Sequence, residues 1–301
     1  MLKFIKNWIL PIAIITGALM HKWVIQLSFL TPYLLFIMLL LTFCKISFKD
    51  IRFHSAHIWL LLIQLIGSIT LYYALLPFGA VIAQGAMLCV LMPTATAAAI
   101  VTGLLGGSVG FLTAYALFCN LAVAVAAPVY FSLTGLSEAL SFTQSVWYMS
   151  QKIFPILVLP LLLALVLRYL TPKIHKAILA VPQLTFYLWI VALIIVMGNI
   201  TVELLHPNSS DYGIVAGLII ISLFLCCIQF LVGRRIGKHY GDTISAGQGL
   251  GQKNTILAIW MAHNYLHPLT AIAPAGYILW QNIINSYQLY RKRKKDVVNS
   301  V

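Results

Sequence analysis

The sequence predicts an all-α polytopic membrane protein. Ten transmembrane helices form two inverted five-helix repeats, and broken helices 4 and 9 cross near the midplane. Three observations carry this. First, 61% of the 301 residues are hydrophobic and 8% are charged, with a mean hydropathy of +0.97. A soluble domain carries roughly 25% charged residues, and no water-soluble fold hides so much apolar surface. Second, the basic residues behind the net charge of +13 sit in short clusters between apolar runs. That is the positive-inside pattern, and it argues for a lipid bilayer and against nucleic acid as the partner. Third, two apolar segments are interrupted, and each is the fourth of five.

The elements follow in order. Helix 1 is Trp8 to Met20. Lys3 and Lys6 ahead of it would also suit a signal peptide, but the topology needs a membrane helix here. Helix 2 is Ile25 to Phe43, helix 3 is His57 to Leu76, and helix 4 is Ala80 to Leu104, broken near Pro93. Helix 5 is Val109 to Leu133, and the polar stretch Ser137 to Ser145 reads as a surface connector. Helix 6 is Met149 to Tyr169, helix 7 is Leu184 to Leu204, and helix 8 is Tyr212 to Val232. Helix 9 is Ile244 to His263, and helix 10 is Pro268 to Tyr290, followed by the basic tail Arg291 to Lys295. The repeats cover about 1–136 and 146–295 of a single membrane domain.

Ten spans put both termini on one side, and the charges say which. That side receives Lys3, Lys6, Lys45, Lys49, Arg52, Arg168, Lys173, Lys176, Arg234, Arg235, Lys238 and the tail. The other receives Lys22 and Lys152, with Glu138, Glu203 and Asp211. Both termini are therefore expected in the cytoplasm. Cys44, Cys89, Cys119, Cys226 and Cys227 all fall in or at the end of apolar runs without a CxxC pair. They read as small core residues, with no disulfide and no metal site.

The two breaks carry the chemistry. Helix 9 contains Gly247, Gly249 and Gly251, then Gln252-Lys253-Asn254-Thr255. Each glycine costs about 1 kcal/mol in a helix relative to alanine. An ammonium at bilayer depth costs about 2.5–3.5 kcal/mol on insertion scales. Such a segment is tolerable where the broken backbone and the charge face protein or a water-filled cavity. Helix 4 breaks at Met92-Pro93-Thr94-Ala95-Thr96, where proline removes a donor and disfavours helix just before it. Half-helices starting after Pro93 and at Asn254-Thr255 would aim partial positive charge at one place, and Lys253 adds a full charge. Together they favour an anion such as a carboxylate or sulfonate. The plainer alternatives are an ordinary proline kink and a lysine that snorkels from a pore or pairs with a carbonyl. His263 and His267 stand four apart like a two-histidine metal face, but no third ligand accompanies them. Neither HExxH nor GxSxG nor an intramembrane acidic pair occurs, so no enzyme is expected.

Several of these residues, in this order, resemble the bile acid:sodium symporter family in its bacterial form. They are Pro93-Thr94-Ala95-Thr96, Gly251-Gln252-Lys253-Asn254 with Leu257-Ala258, Ala262-His263, and Trp280-Gln281-Asn282. The resemblance covers nearly the whole chain. It implies a bacterial inner (plasma) membrane, a panel of helices 1, 2, 6 and 7, and a core of helices 3–5 and 8–10. It also implies transport of small organic anions, with Asn282 near the substrate and Gln64 as a sodium-site glutamine. The family's helix 9 reads Glu-x-Gly-x-Gln-Asn, and its glutamate serves both sodium ions. Aligned on Asn254, that glutamate falls on Gly249 and the glutamine on Lys253; with a one-residue insertion they fall on Gln248 and Gln252. The Ser-Asn pair after the family's proline falls on Ala98-Ala99.

The acids make the same point without the family. Asp50, Glu138, Glu203, Asp211, Asp242 and Asp296 all lie away from mid-membrane depth. A lysine at the site would repel sodium. The expectation is a sodium-independent transporter, facilitative or proton-coupled, in which Lys253 replaces sodium and no cofactor is needed. Substrate contacts are expected from Thr94, Thr96, Lys253, Asn254, Thr255 and Asn282, with Gln64, Gln248 and Gln252 as the cation-site remnant. One alternative is a conventional sodium symporter. Another, of a different class, is a non-transporting membrane sensor or scaffold.

Overall fold

The computed structural model describes residues 2–46, 52–134, 141–181, 183–205 and 211–298, with the side chains of all these except 2–8, 211, 297 and 298. Lys49, Asp50, Glu138 and residues 137–140 of the expected connector lie outside the described residues, as do the side chains of Lys3, Lys6 and Asp211. The described chain is helical throughout. Its elements are α1 (Leu2–Leu19), α2 (His21–Val24), α3 (Thr31–Cys44), α4 (Ser55–Leu75), α5 (Ala80–Leu91), α6 (Ala98–Leu105), α7 (Val109–Thr134) and α8 (Phe142–Leu157). There follow α9 (Leu159–Leu170), α10 (Pro172–Leu179), α11 (Leu184–Leu205), α12 (Asp211–His239), α13 (Thr243–Gly251), α14 (Thr255–Tyr265) and α15 (Ile272–Val298).

Among the described residues six helical stretches are long and apolar enough to cross a membrane: His21–Cys44, Ser55–Phe78, Val109–Thr134, Phe142–Leu170, Leu184–Leu205 and Tyr212–His239. The surface fits that reading. Val125 and Leu231 are each 67% exposed in mid-helix, where water would leave bare hydrocarbon and lipid covers it. Trp23, Trp147, Tyr148, Tyr212 and Tyr290 are exposed near helix ends, as in an interfacial aromatic belt. This is the architecture of a polytopic integral membrane protein.

Local chemistry sets the boundaries. Met92 is extended (φ −57°, ψ 144°) because Pro93 follows, and α5 ends there. Gly106 takes φ +83° and stops α6. The helix expected from Met149 begins at Phe142, inside the polar stretch read as connector. Ser141 and Gln144 form a capping box there, with Gln144 N donating to Ser141 Oγ at 3.4 Å. The helix expected to end at Val232 runs on to His239, because its last turns carry Arg234, Arg235 and Lys238 out of the apolar region. A short amphipathic helix, α10, fills the connection before α11, with His175 buried against Cys44 O.

Contacts sort the connections to two ends. At one, Ser108 N donates to Ser245 Oγ, His57 Nε2 meets Phe111 O, and Gly106 approaches Lys292. At the other, Gln84 donates to Thr134 O and accepts from His267 N, and Ser132 reaches Met149. The five cysteines are free, and four of them are buried.

Candidate functional site at the helix crossing

The two broken helices meet. Thr94 and Lys253 form an isolated antiparallel bridge. Ala95 N donates to Gln252 O (2.9 Å) and Asn254 N to Pro93 O (2.8 Å). Each break thus supplies the backbone partner that the other lost, which a dry interior requires.

The end of α5 needs more, because a helix leaves its last carbonyls open. Side chains from three other segments close them. Gln64 Nε2 on α4 donates to Leu91 O (2.7 Å) and Met92 O (3.0 Å). Lys253 Nζ donates to Val90 O (2.8 Å), and Gln229 Nε2 on α12 to Cys89 O (3.3 Å). Lys253 is 1% exposed. Its positive charge therefore sits at the negative end of a helix dipole. Among the described residues the one ion pair is Lys292 with Asp296, so no carboxylate meets this ammonium there.

The end of α13 is closed reciprocally. Thr94 Oγ1 donates to Gly249 O (2.7 Å), and Tyr277 Oη on α15 donates to Gly251 O (2.8 Å). Lys253 N donates to Gln281 Oε1 (2.9 Å). α14 starts at Thr255 behind Asn254, and α13 stays helical through Gly247, Gly249 and Gly251 despite their poor helix propensity. These residues give close approach instead: a Cβ at Gly247 would lie 2.5 Å from Arg234 Cγ, one at Gly249 2.8 Å from Tyr115 Cδ1, and one at Gly251 would clash with the Phe230 ring.

The expected site residues are placed as follows. Thr94, Lys253, Asn254 and Thr255 come together, all buried. Asn254 caps α14, accepting from Leu257 N at 3.3 Å. Thr96 lies in the half-buried turn before α6, whose first turn has no side-chain cap. Asn282 donates to Ile278 O of its own helix (2.7 Å). Gln64 is fixed from both sides, because its Oε1 accepts from Tyr115 Oη (2.7 Å). Gln248 donates to Asn285 Oδ1 and Gln288 Oε1, both at 3.0 Å. Gln252 Oε1 and Gln229 Oε1 are buried without a partner among the described residues.

Sequence reasoning missed Gln229, Tyr277 and Gln281. A signal existed on α15. Tyr277, Gln281 and Asn285 are spaced by four and share a face, whereas Asn282 sits about 100° away from Gln281.

A cavity of 510 Å³ lies elsewhere, and Ile259, Trp260, His263, Asn264 and Tyr265 of α14 form one wall of it. None of the bridge residues lines it. His267, four residues on from His263, caps the next turn, its Nδ1 accepting from Leu269 N (3.3 Å). Among the described residues no group of three His, Cys, Asp or Glu is placed to hold a metal ion. In comparison with known proteins, no family model and no curated protein matches this chain.

Proposed function

We propose that the chain is a secondary transporter of an organic anion, built like the bile acid:sodium symporters it resembles and independent of sodium. The observation that carries this reading is Lys253 Nζ on Val90 O, between two broken helices bridged at Thr94 and Lys253. Where the resembling family uses sodium ions to draw its broken helices together, a fixed ammonium does so here. Spans 4 and 9 are then α5 with α6 and α13 with α14. Span 1 is α1, span 10 is α15, and the six long stretches supply the others. Packing of α1 and α3 on α11, and of α3 on α9, supports the panel; packing of α12 on α13, α5 and α15, and of α4 on α5, supports the core. The charge bias supports cytoplasmic termini.

The test is uptake of small carboxylates and sulfonates into proteoliposomes, with sodium replaced by choline. Uptake is expected to be unchanged. A strict sodium requirement would favour the conventional symporter, with the unpartnered Gln252 Oε1 as an ion ligand, and sink the substitution idea.

A second reading is a non-transporting sensor. It is favoured by the closure of the crossing, where the amine and the capped ends of α5 and α13 are already engaged. Saturable binding without flux would select it.

A further inference from the structure

We propose that the 510 Å³ cavity at the far end of α14 is an organic-anion binding site, in which Lys152 supplies the charge and His263, Asn199 and Thr31 supply directed hydrogen bonds. This deepens the organic-anion reading and rests on it for the choice of ligand. The argument begins with what lines the space. Phe29, Pro32, Ile156, Trp260 and Tyr265 give it an apolar, largely aromatic wall. Its size falls within the usual range of small-molecule pockets, about 300–1,000 Å³. Among the described residues the lining holds no aspartate or glutamate.

Four of the polar groups that line it can donate. Lys152 is exposed, and its Nζ lies 5.2 Å from the centre of the Tyr148 ring. Among the described residues it makes no ion pair. Asn199 Oδ1 accepts from Ser28 Oγ (2.7 Å), which leaves its NH2 group to donate. Two further groups are buried and lack a partner among the described residues: Thr31 Oγ1, on a residue 2% exposed, and His263 Nε2. The hydroxyl donates, and so does Nε2 in the tautomer that protonates it. A buried polar atom without a partner is costly unless something fills the place. An acceptor with several lone pairs, such as a carboxylate or sulfonate, suits these donors. One cation and aromatic walls fit an amphipathic monoanion.

Lys253 cannot serve this ligand. Asn254 and His263 stand nine residues apart on one helix axis, about 13 Å by helical rise, and the Lys253 amine is bonded to Val90 O. The crossing and the cavity are therefore separate places. One holds the broken helices; the other presents charge and a wall to a ligand.

The experiment measures binding of radiolabelled 1-naphthylacetate to the detergent-purified full chain by equilibrium dialysis, with 1-naphthylacetamide as the uncharged competitor. The acid is expected to bind saturably and the amide roughly tenfold more weakly or worse, as loss of a charge-assisted bond implies. Lys152→Gln should weaken the acid about tenfold and leave the amide unchanged, and Lys152→Arg should restore most of the loss. Lys152 is exposed, so these variants should fold, and Lys173→Gln on α10 serves as the charge control. No saturable binding at millimolar acid, equal affinity for acid and amide, or an unaltered Lys152→Gln variant overturns the assignment. Uptake of the same acid into liposomes separates the two proposals. Binding that needs Lys152 without uptake overturns transport and keeps the site. Uptake indifferent to Lys152 keeps transport and overturns the site.

Discussion

Lys253 is the residue on which most turns. Its amine closes Val90 O, and its backbone pairs across the bridge to Thr94. Lys253→Met keeps most of the volume and removes the donor. It should lower stability by about 1–3 kcal/mol, the cost of an unpaired buried carbonyl. Lys253→Ala adds a cavity and should cost about 2–5 kcal/mol. Thermal unfolding of the purified protein in detergent checks both, and a methionine variant as stable as wild type would refute the capping role. The need for an unusual lysine was legible, because charge at bilayer depth demands an explanation. Its partner was not, because Val90 is one apolar residue among many and only its main chain takes part. Gln281 was hidden for a similar reason: it contributes an oxygen to a main-chain N–H, and only the helical register separates it from Asn282.

At the level of elements, the glycines of α13 teach the most. Read from sequence they look like a helix breaker, since each is a poor helix former. In the fold they let α13 lie against α12 and α7. Gly251→Ala, forced against Phe230, should cost about 1–3 kcal/mol through overpacking. The same change at Gly213, where a Cβ would meet nothing within 4 Å, should be neutral or slightly stabilising. Denaturation of the two variants side by side is the measurement. A glycine run carries the same letters whether it serves unwinding or contact, so only neighbours such as Arg234, Tyr115 and Phe230 decide. The start of α8 was obscured differently: hydropathy marks Met149, while the Ser141 and Gln144 cap sits a turn and more upstream. Ser141→Ala should cost about 1 kcal/mol, readable as faster amide exchange in the first turn.

For the molecule as a whole, the apolar runs fixed the helices because each must close its own main-chain bonds in lipid. Pro93 gave one break, and Lys253 marked the other. Pairing between those breaks depends on groups from α4, α12 and α15, far apart along the chain, and periodicity does not report it. Transport in choline medium is the expectation that belongs at this scale. Impermeant thiol labelling of cysteines placed at both tail positions should show them on the cytoplasmic face, and labelling of the two from opposite faces would break the even span count.

Synthesis order adds one consequence. Val90 leaves the ribosome 163 residues ahead of the lysine that will cap it. At about 5–20 residues per second, the first broken helix waits roughly ten to thirty seconds with an open end. Gln64 is already present to shield part of it; Gln229 and Lys253 are not. The amino-terminal half should therefore linger in the insertion machinery, fall to quality-control proteolysis when expressed alone, and be rescued by supplying residues 141–301 in trans. Pulse-chase survival of the two fragments, alone and together, would show it.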